Sequence, residues 1–233
     1  MPAKPVAARA RVTAVRALAS EVLEADLAMV EPPTLAFEAG QWVSVPFGPK
    51  TVRAYSIAST PRVSSAITLC ADVAPGGLGS RWFRGLAPGS EVEFKGPLGG
   101  FVWTPGETRH AVFVAEEIGI VPIRAILADL DEQGSTSPAT LVYWARDASW
   151  LVYDDELRTR ARRRGAFAYH PIVRTGERVA AEELASAVER LITDASGGVV
   201  AYVAGGEAAI NRVREVLMAK GLERRAVKWE KFW

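Results

Sequence analysis

Cysteine and histidine are scarce in this 233-residue chain, which has one cysteine, Cys70, and two histidines, His110 and His170, far apart in the sequence. A single thiol excludes an intramolecular disulfide and any iron–sulfur cluster ligated by cysteines of this chain alone. Without an H-x-x-x-H or cysteine pairing, the histidines argue against a zinc site, so no metal is expected in this chain. Charge of one sign is also missing. With 28 Lys+Arg against 27 Asp+Glu the net charge is +1, too little basic excess for a nucleic-acid binder. No apolar run approaches the ~20 residues of a membrane span, and the opening MPAKPVAARARVTAV has no apolar core of signal-peptide length. No membrane association is therefore expected, and a cytoplasmic location is. A G-x-S-x-G elbow, internal repeats and low-complexity segments are absent as well.

What remains is a globular composition, 49% hydrophobic and 24% charged, in a chain long enough for two domains with separate cores. Up to about Trp103 the sequence reads as short apolar or alternating segments broken by glycine and proline: 11–18, 27–30, 41–45, 51–58, 66–73 and 91–95. One helix interrupts them at 80–86, with Ser80 as its N-cap or a first-turn residue. That spacing predicts an antiparallel β-barrel or sandwich. After Pro105-Gly106 the rhythm changes to strands at 111–115, 140–144, 167–173, 199–204 and 227–229, alternating with helices at 122–130, 154–164, 181–192 and 207–220. This predicts an α/β domain with a parallel sheet, whose ligands lie beyond the carboxyl ends of the strands. The expected domains are 1–105 and 106–233.

Several segments carry chemistry. Arg53-Ala54-Tyr55-Ser56 puts a cation, a ring and a hydroxyl on one extended run, where Arg53 and Tyr55 share a face. Arg53 could grip a phosphate and Tyr55 cover a flat ring; the run also fits a half-buried strand with an incidental arginine. Gly76-Gly77-Leu78-Gly79-Ser80 opens a helix and either cradles an anion or simply turns. Three loops lie where the parallel sheet expects a ligand: residues 116–122, containing Glu116, Glu117, Gly119 and Pro122; Arg146-Asp147; and Gly205-Gly206-Glu207. Arg146 and Arg174, just past strand ends, could hold a nucleotide's ribose and phosphate, or be surface arginines. The aromatic tail, with Trp229, Phe232 and Trp233 around Glu230, packs on a core or on a flat cofactor. The arginine-rich run 158–164 closes a helix, where positive charge complements the dipole.

In their order these motifs resemble the ferredoxin-NADP reductase-like flavoenzymes over nearly the whole chain. RAYS from Arg53, GGLGS from Gly76, GPLGGF from Gly96, IGIVP from Ile118, AGG from Ala204 and EKFW from Glu230 carry the resemblance, with Ala39-Gly40-Gln41 before the third strand. It implies an N-terminal flavin-binding barrel and a nucleotide-binding α/β domain. FAD is implied in preference to FMN, with NADPH or NADH as co-substrate. Arg53 would pair with the flavin pyrophosphate, Tyr55 lie along the isoalloxazine and Ser56 bond near its N5, while Ala54, Gly77, Gly79 and Ser80 complete the cradle. Phe232 or Trp233 would face the flavin, and Gly119, Pro122, Arg146, Arg174 and Gly205 would serve the pyridine nucleotide. Ser56, Tyr55 and Glu230 are the implied catalytic residues. The implied activity passes hydride from NAD(P)H to FAD and electrons on to a separate redox acceptor such as a ferredoxin, flavodoxin or oxygenase component. The alternative is a flavin-binding electron-transfer subunit with a degenerate nucleotide site. Glu116-Glu117 favour it, standing where the family has small residues, as Ala204 stands where it has cysteine.

Overall fold

The computed structural model describes residues 4–177 and 179–232. The chain divides into two compact units: Met1–Trp103 with Arg124–Gly134, and Thr104–Ile123 with Ser135–Trp233.

The first unit is a six-stranded antiparallel sheet formed by β1 (Val6–Ala19), β2 (Val22–Glu31), β3 (Trp42–Pro46), β4 (Val52–Ser56), β5 (Ala66–Asp72) and β6 (Glu91–Leu98). Their order is β4-β3-β6-β1-β2-β5, and an antiparallel bridge from Ile57 to Leu69 joins the two edges. Closure of this kind leaves few unpaired edge groups. Strand β1 shows why the sequence takes this form: Ala8, Ala10 and Val12 are buried while Arg9 between them is half-buried and Arg11 exposed, the period-two pattern of a half-buried strand. A short helix, α1 (Leu78–Arg84), contributes the fully buried Phe83 to the barrel core.

Two differences from the sequence expectations have physical causes. Strand β2 starts at Val22, five residues before the expected 27, because Glu24 and Asp26 enter the strand paired with Arg16 of β1 at 2.5 Å each. Charges interrupt the apolar pattern without interrupting the ladder. Helix α1 begins at Leu78, and its N-cap is Gly77, so Ser80 is a first-turn residue and not the cap.

The second unit is a parallel sheet of order β11-β10-β7-β8-β9, built from β7 (His110–Glu116), β8 (Ala139–Ala145), β9 (Phe167–Val173), β10 (Val199–Gly205) and β11 (Val227–Lys231). Every residue of β8 and β10 is buried, the mark of strands covered on both faces. On one face Val112, Val114, Val142, Ala201 and Val203 pack with α4 (Ala180–Leu191) and α5 (Glu207–Ala219). On the other, Phe113 stacks on Tyr202 at 5.2 Å. Helix α3 (Asp154–Arg163) packs on β9 and ends in the arginine run. The aromatic tail is a docked strand: β11 pairs in parallel with β10 from Val227 to Lys231.

Helix α2 (Ile120–Glu132) starts in the second unit and ends in the first. Within the first unit Arg124 donates to the Ala58 carbonyl at 2.9 Å, and Thr60 donates to Glu132 at 3.0 Å. Gly40, at φ +97, admits the same helix: a Cβ there would lie 2.0 Å from the Phe101 carbonyl oxygen and 3.0 Å from Ile126. Gly40→Ala is therefore expected to destabilise the protein by about 2–4 kcal/mol, through forbidden backbone geometry and a backbone clash together. Urea unfolding checks this, and an unchanged midpoint would contradict it.

Candidate functional site

In the first unit, pairing of β3 with β4 places Arg53 opposite Val45, Ala54 opposite Ser44, Tyr55 opposite Val43 and Ser56 opposite Trp42. Arg53 is exposed, and among the described residues its guanidinium meets no carboxylate; its hydrogen bond goes to the Val52 carbonyl next to it, at 2.8 Å. Gly79 sits against this strand. A Cβ on it would lie 2.7 Å from the Tyr55 hydroxyl and 3.2 Å from Arg53 Cγ, so only glycine lets the loop approach the tyrosine and the arginine stem so closely. No atom lies within 4 Å of the corresponding position on Gly77, which leaves the mouth of the loop open. Ser56 and Ser80 are 5% and 8% exposed, and no side-chain hydrogen bond engages either hydroxyl among the described residues. The strand and loop thus bring together an exposed guanidinium with no carboxylate partner among the described residues, two serine hydroxyls and a close glycine contact.

Tyr55 is buried in an aromatic cluster, 5.3 Å from Trp82 and 5.5 Å from Phe83. Burial pushes its phenol up to about 12, against the opposing pull of the Arg53 charge, so Tyr55 stays neutral. Trp82 also meets Phe47 edge-on at 5.4 Å. It was not among the expected site residues; its place two residues after Ser80, on the helix the glycine loop opens, was the available signal.

The second unit gathers the other group. Gly119 ends a turn of 3₁₀ helix (Glu117–Gly119), and a Cβ on it would lie 2.3 Å from the Ala204 carbonyl oxygen. Pro122 is the third residue of α2, where a missing N–H costs nothing. Glu116, at the end of β7, covers Gly205 and accepts the Gly206 amide at 2.8 Å, at the start of α5. Burial raises its pKa, with the Gly206 amide opposing. Glu117 is buried and takes both Nε and Nη2 of Arg146, and the Arg146 guanidinium lies 3.9 Å over the Trp150 ring. Arg146 is thus already paired, whereas Arg174, at the end of β9, is exposed and has no ion pair among the described residues. Asp147 is exposed and capped locally, accepting the Ser149 amide at 2.9 Å.

Glu230 lies on β11 in register with Ala204. It has no hydrogen bond or ion pair among the described residues, and desolvation alone raises its pKa from 4.5 to about 7. The Phe232 amide donates to the Gly205 carbonyl at 3.1 Å. Trp233 lies outside the described residues. Glu183, also not expected as a site residue, is buried on α4 and accepts from Trp144 Nε1 at 2.5 Å, Thr175 Oγ1 at 2.5 Å and the Thr175 amide at 3.1 Å. It ties down the loop that carries Arg174; nothing in the helical pattern marks a glutamate as buried.

Residues 9–103 match the family model described as an oxidoreductase FAD-binding domain, and residues 108–233 match that of a siderophore-interacting protein. Ferredoxin--NADP reductase B of Sorangium cellulosum is 30% identical over 235 residues, covering 96% of each chain. The reductase component of propane 2-monooxygenase from Mycolicibacterium goodii is 31% identical over 151 residues, which are 64% of this chain and 43% of that one. Among solved structures, the Amycolatopsis cytochrome P450 reductase GcoB superposes with a TM-score of 0.83 at 25% identity, covering 98% of this chain and 70% of that one. A flavin-binding barrel followed by a parallel α/β domain defines a class of electron-transferring flavoenzymes. This chain belongs to the ferredoxin-NADP reductase-like family of that class, whose members are FAD-dependent oxidoreductases using NAD(P)H.

The Glu230 carboxyl yields a prediction. Its folded pKa lies above the unfolded value, so its stabilising contribution is complete below pH 4.5 and is lost as pH rises through about 7. Glu230→Gln lacks that loss. Thermal melts across this range are expected to show the variant gaining on the parent as pH rises, and parallel curves would contradict it.

Proposed function

We propose that this protein is an NAD(P)H-dependent flavin reductase of a two-component system, in which residues 1–105 hold FAD and residues 106–233 hold the pyridine nucleotide. The bound flavin supplies the chemistry of accepting a hydride at N5 and releasing electrons onward one or two at a time. Arg53 neutralises the flavin diphosphate, with the amides around Gly77 and Gly79 and the Ser80 hydroxyl completing the cradle. Tyr55, packed against Trp82 and Phe83, would line the site for the ring system. Ser56 would offer its hydroxyl to the flavin near N5, with Ala54 close by on the strand. Glu230 is a proton-handling carboxyl titrating close to neutrality, and Phe232 is the aromatic beside it. Gly119, Pro122 and Gly205 shape the nucleotide loops, and Arg174 offers a free cation there. No helix among the described residues is long and apolar enough to cross a membrane; we place the protein in the cytoplasm.

The observation that carries this reading is the uncompensated Arg53 guanidinium beside the Gly79 cradle. The acceptor is a separate redox partner, on the names of the relatives a ferredoxin or an oxygenase component, and the match over residues 108–233 adds a siderophore as a candidate. A second reading, an electron-transfer subunit whose nucleotide site has degenerated, is favoured by Glu116 occupying the Gly206 amide. Anaerobic addition of NADH or NADPH to the FAD-loaded protein separates the two: bleaching of the flavin supports the reductase, and unchanged absorbance supports the subunit. Arg53→Ala is expected to weaken FAD binding by about 10- to 100-fold, the worth of charge-assisted hydrogen bonds, and an unchanged affinity would remove Arg53 from the site.

A further inference from the structure

Glu117 occupies a backbone position that a side chain rarely takes. Its φ is +47, in the left-handed region, and the residue is only 6% exposed. Glycine would sit there without strain, so an acidic side chain persists only if the surroundings hold it. They do so through Arg146, which presents Nε and Nη2 together to the Glu117 carboxylate. Arg146 is itself fixed from below, its guanidinium 3.9 Å above the Trp150 ring. Trp150 is anchored in turn, its carbonyl accepting the Tyr143 hydroxyl at 3.0 Å, and Asp147 caps the intervening turn through Ser149. This is a built pair at the carboxyl end of β8, where a parallel sheet receives nucleotides and where an arginine reads a 2′-phosphate.

Because the Glu117 carboxylate already offsets its charge and takes its Nε and Nη2 donors, Arg146 attracts a phosphate less strongly than an unpaired guanidinium would. On the next strand, Arg174 is exposed and bears no such partner among the described residues. We infer that Glu117 is a specificity-determining residue of the nucleotide site: it holds Arg146 in an internal ion pair, and so sets how strongly the chain discriminates a 2′-phosphorylated adenine nucleotide from one without that group. The inference rests on the proposed use of a pyridine nucleotide by this unit.

The test compares calorimetric affinities of the full-length, FAD-loaded protein for adenosine 2′,5′-bisphosphate and for 5′-AMP, probes that differ only in the 2′-phosphate. In Glu117→Gly, which relieves the left-handed backbone, and in Glu117→Gln, the affinity ratio is expected to move about tenfold toward the bisphosphate, the scale of a freed charge-assisted hydrogen bond. Adding Arg146→Met to either variant should erase the gain. Two variants guard against one failing to fold, and thermal melts verify that both are folded. An unchanged ratio with binding intact, an equal gain for both probes, or a gain that survives Arg146→Met would each overturn the inference while leaving the nucleotide reading standing. Failure of parent and variants alike to bind either probe would overturn the nucleotide reading itself, and the inference with it.

Discussion

A positive charge without a protein counter-ion is the constraint on which the barrel face depends. Arg53 stands on an exposed strand position with Gly79 packed against its stem, and among the described residues no carboxylate meets its guanidinium. Left alone, an exposed guanidinium costs little, because water solvates it. Covered by a cofactor, it would cost several kcal/mol unless an anion arrived with the cover. The neutral, buried Tyr55 beside it adds flat apolar area but no charge. On the proposed reading, the face would select a ligand that is both planar and anionic.

The second unit follows a different rule. Its cations and amides are largely spoken for by its own carboxylates: Glu117 by Arg146, Glu116 by the Gly206 amide, and Glu183 by Trp144 and Thr175. On the proposed reading, a ligand of the barrel adds bonds, whereas a ligand of the parallel sheet exchanges them. Addition favours a retained prosthetic group. Exchange gives smaller net free energies and reversible association, which suits a co-substrate that must leave after each turnover.

The architecture was legible because two periods divide the chain. Short apolar or alternating segments such as 41–45 and 66–73 announced the barrel, and strands at 140–144 and 199–204 alternating with helices announced the parallel sheet. Element ends were less legible where charge enters a strand: Glu24 and Asp26 hid the start of β2 because only the tertiary pairing with Arg16 makes them tolerable there. In the barrel, local order in sequence carries over into space, so Arg53, Tyr55, Gly79 and Ser80 could be grouped before the fold was seen. The pairing of Arg146 with Glu117 could not, since it joins residues from the ends of different strands. The carboxylates at 116 and 117 stand where the family has small residues, and from sequence they favoured a degenerate nucleotide site. The structure adds that one is neutralised by Arg146 and that the other accepts a backbone amide.

The central claim is that the barrel recognises its cofactor through neutralisation of a diphosphate and not through the ring alone. Equilibrium titration of the flavin-free protein with FAD and with riboflavin, which carries the same ring and no phosphate, tests it most directly. The account predicts one FAD bound per chain, with far weaker riboflavin binding and a gap that narrows as salt is raised. Riboflavin binding as tightly as FAD, or neither binding at all, would contradict it.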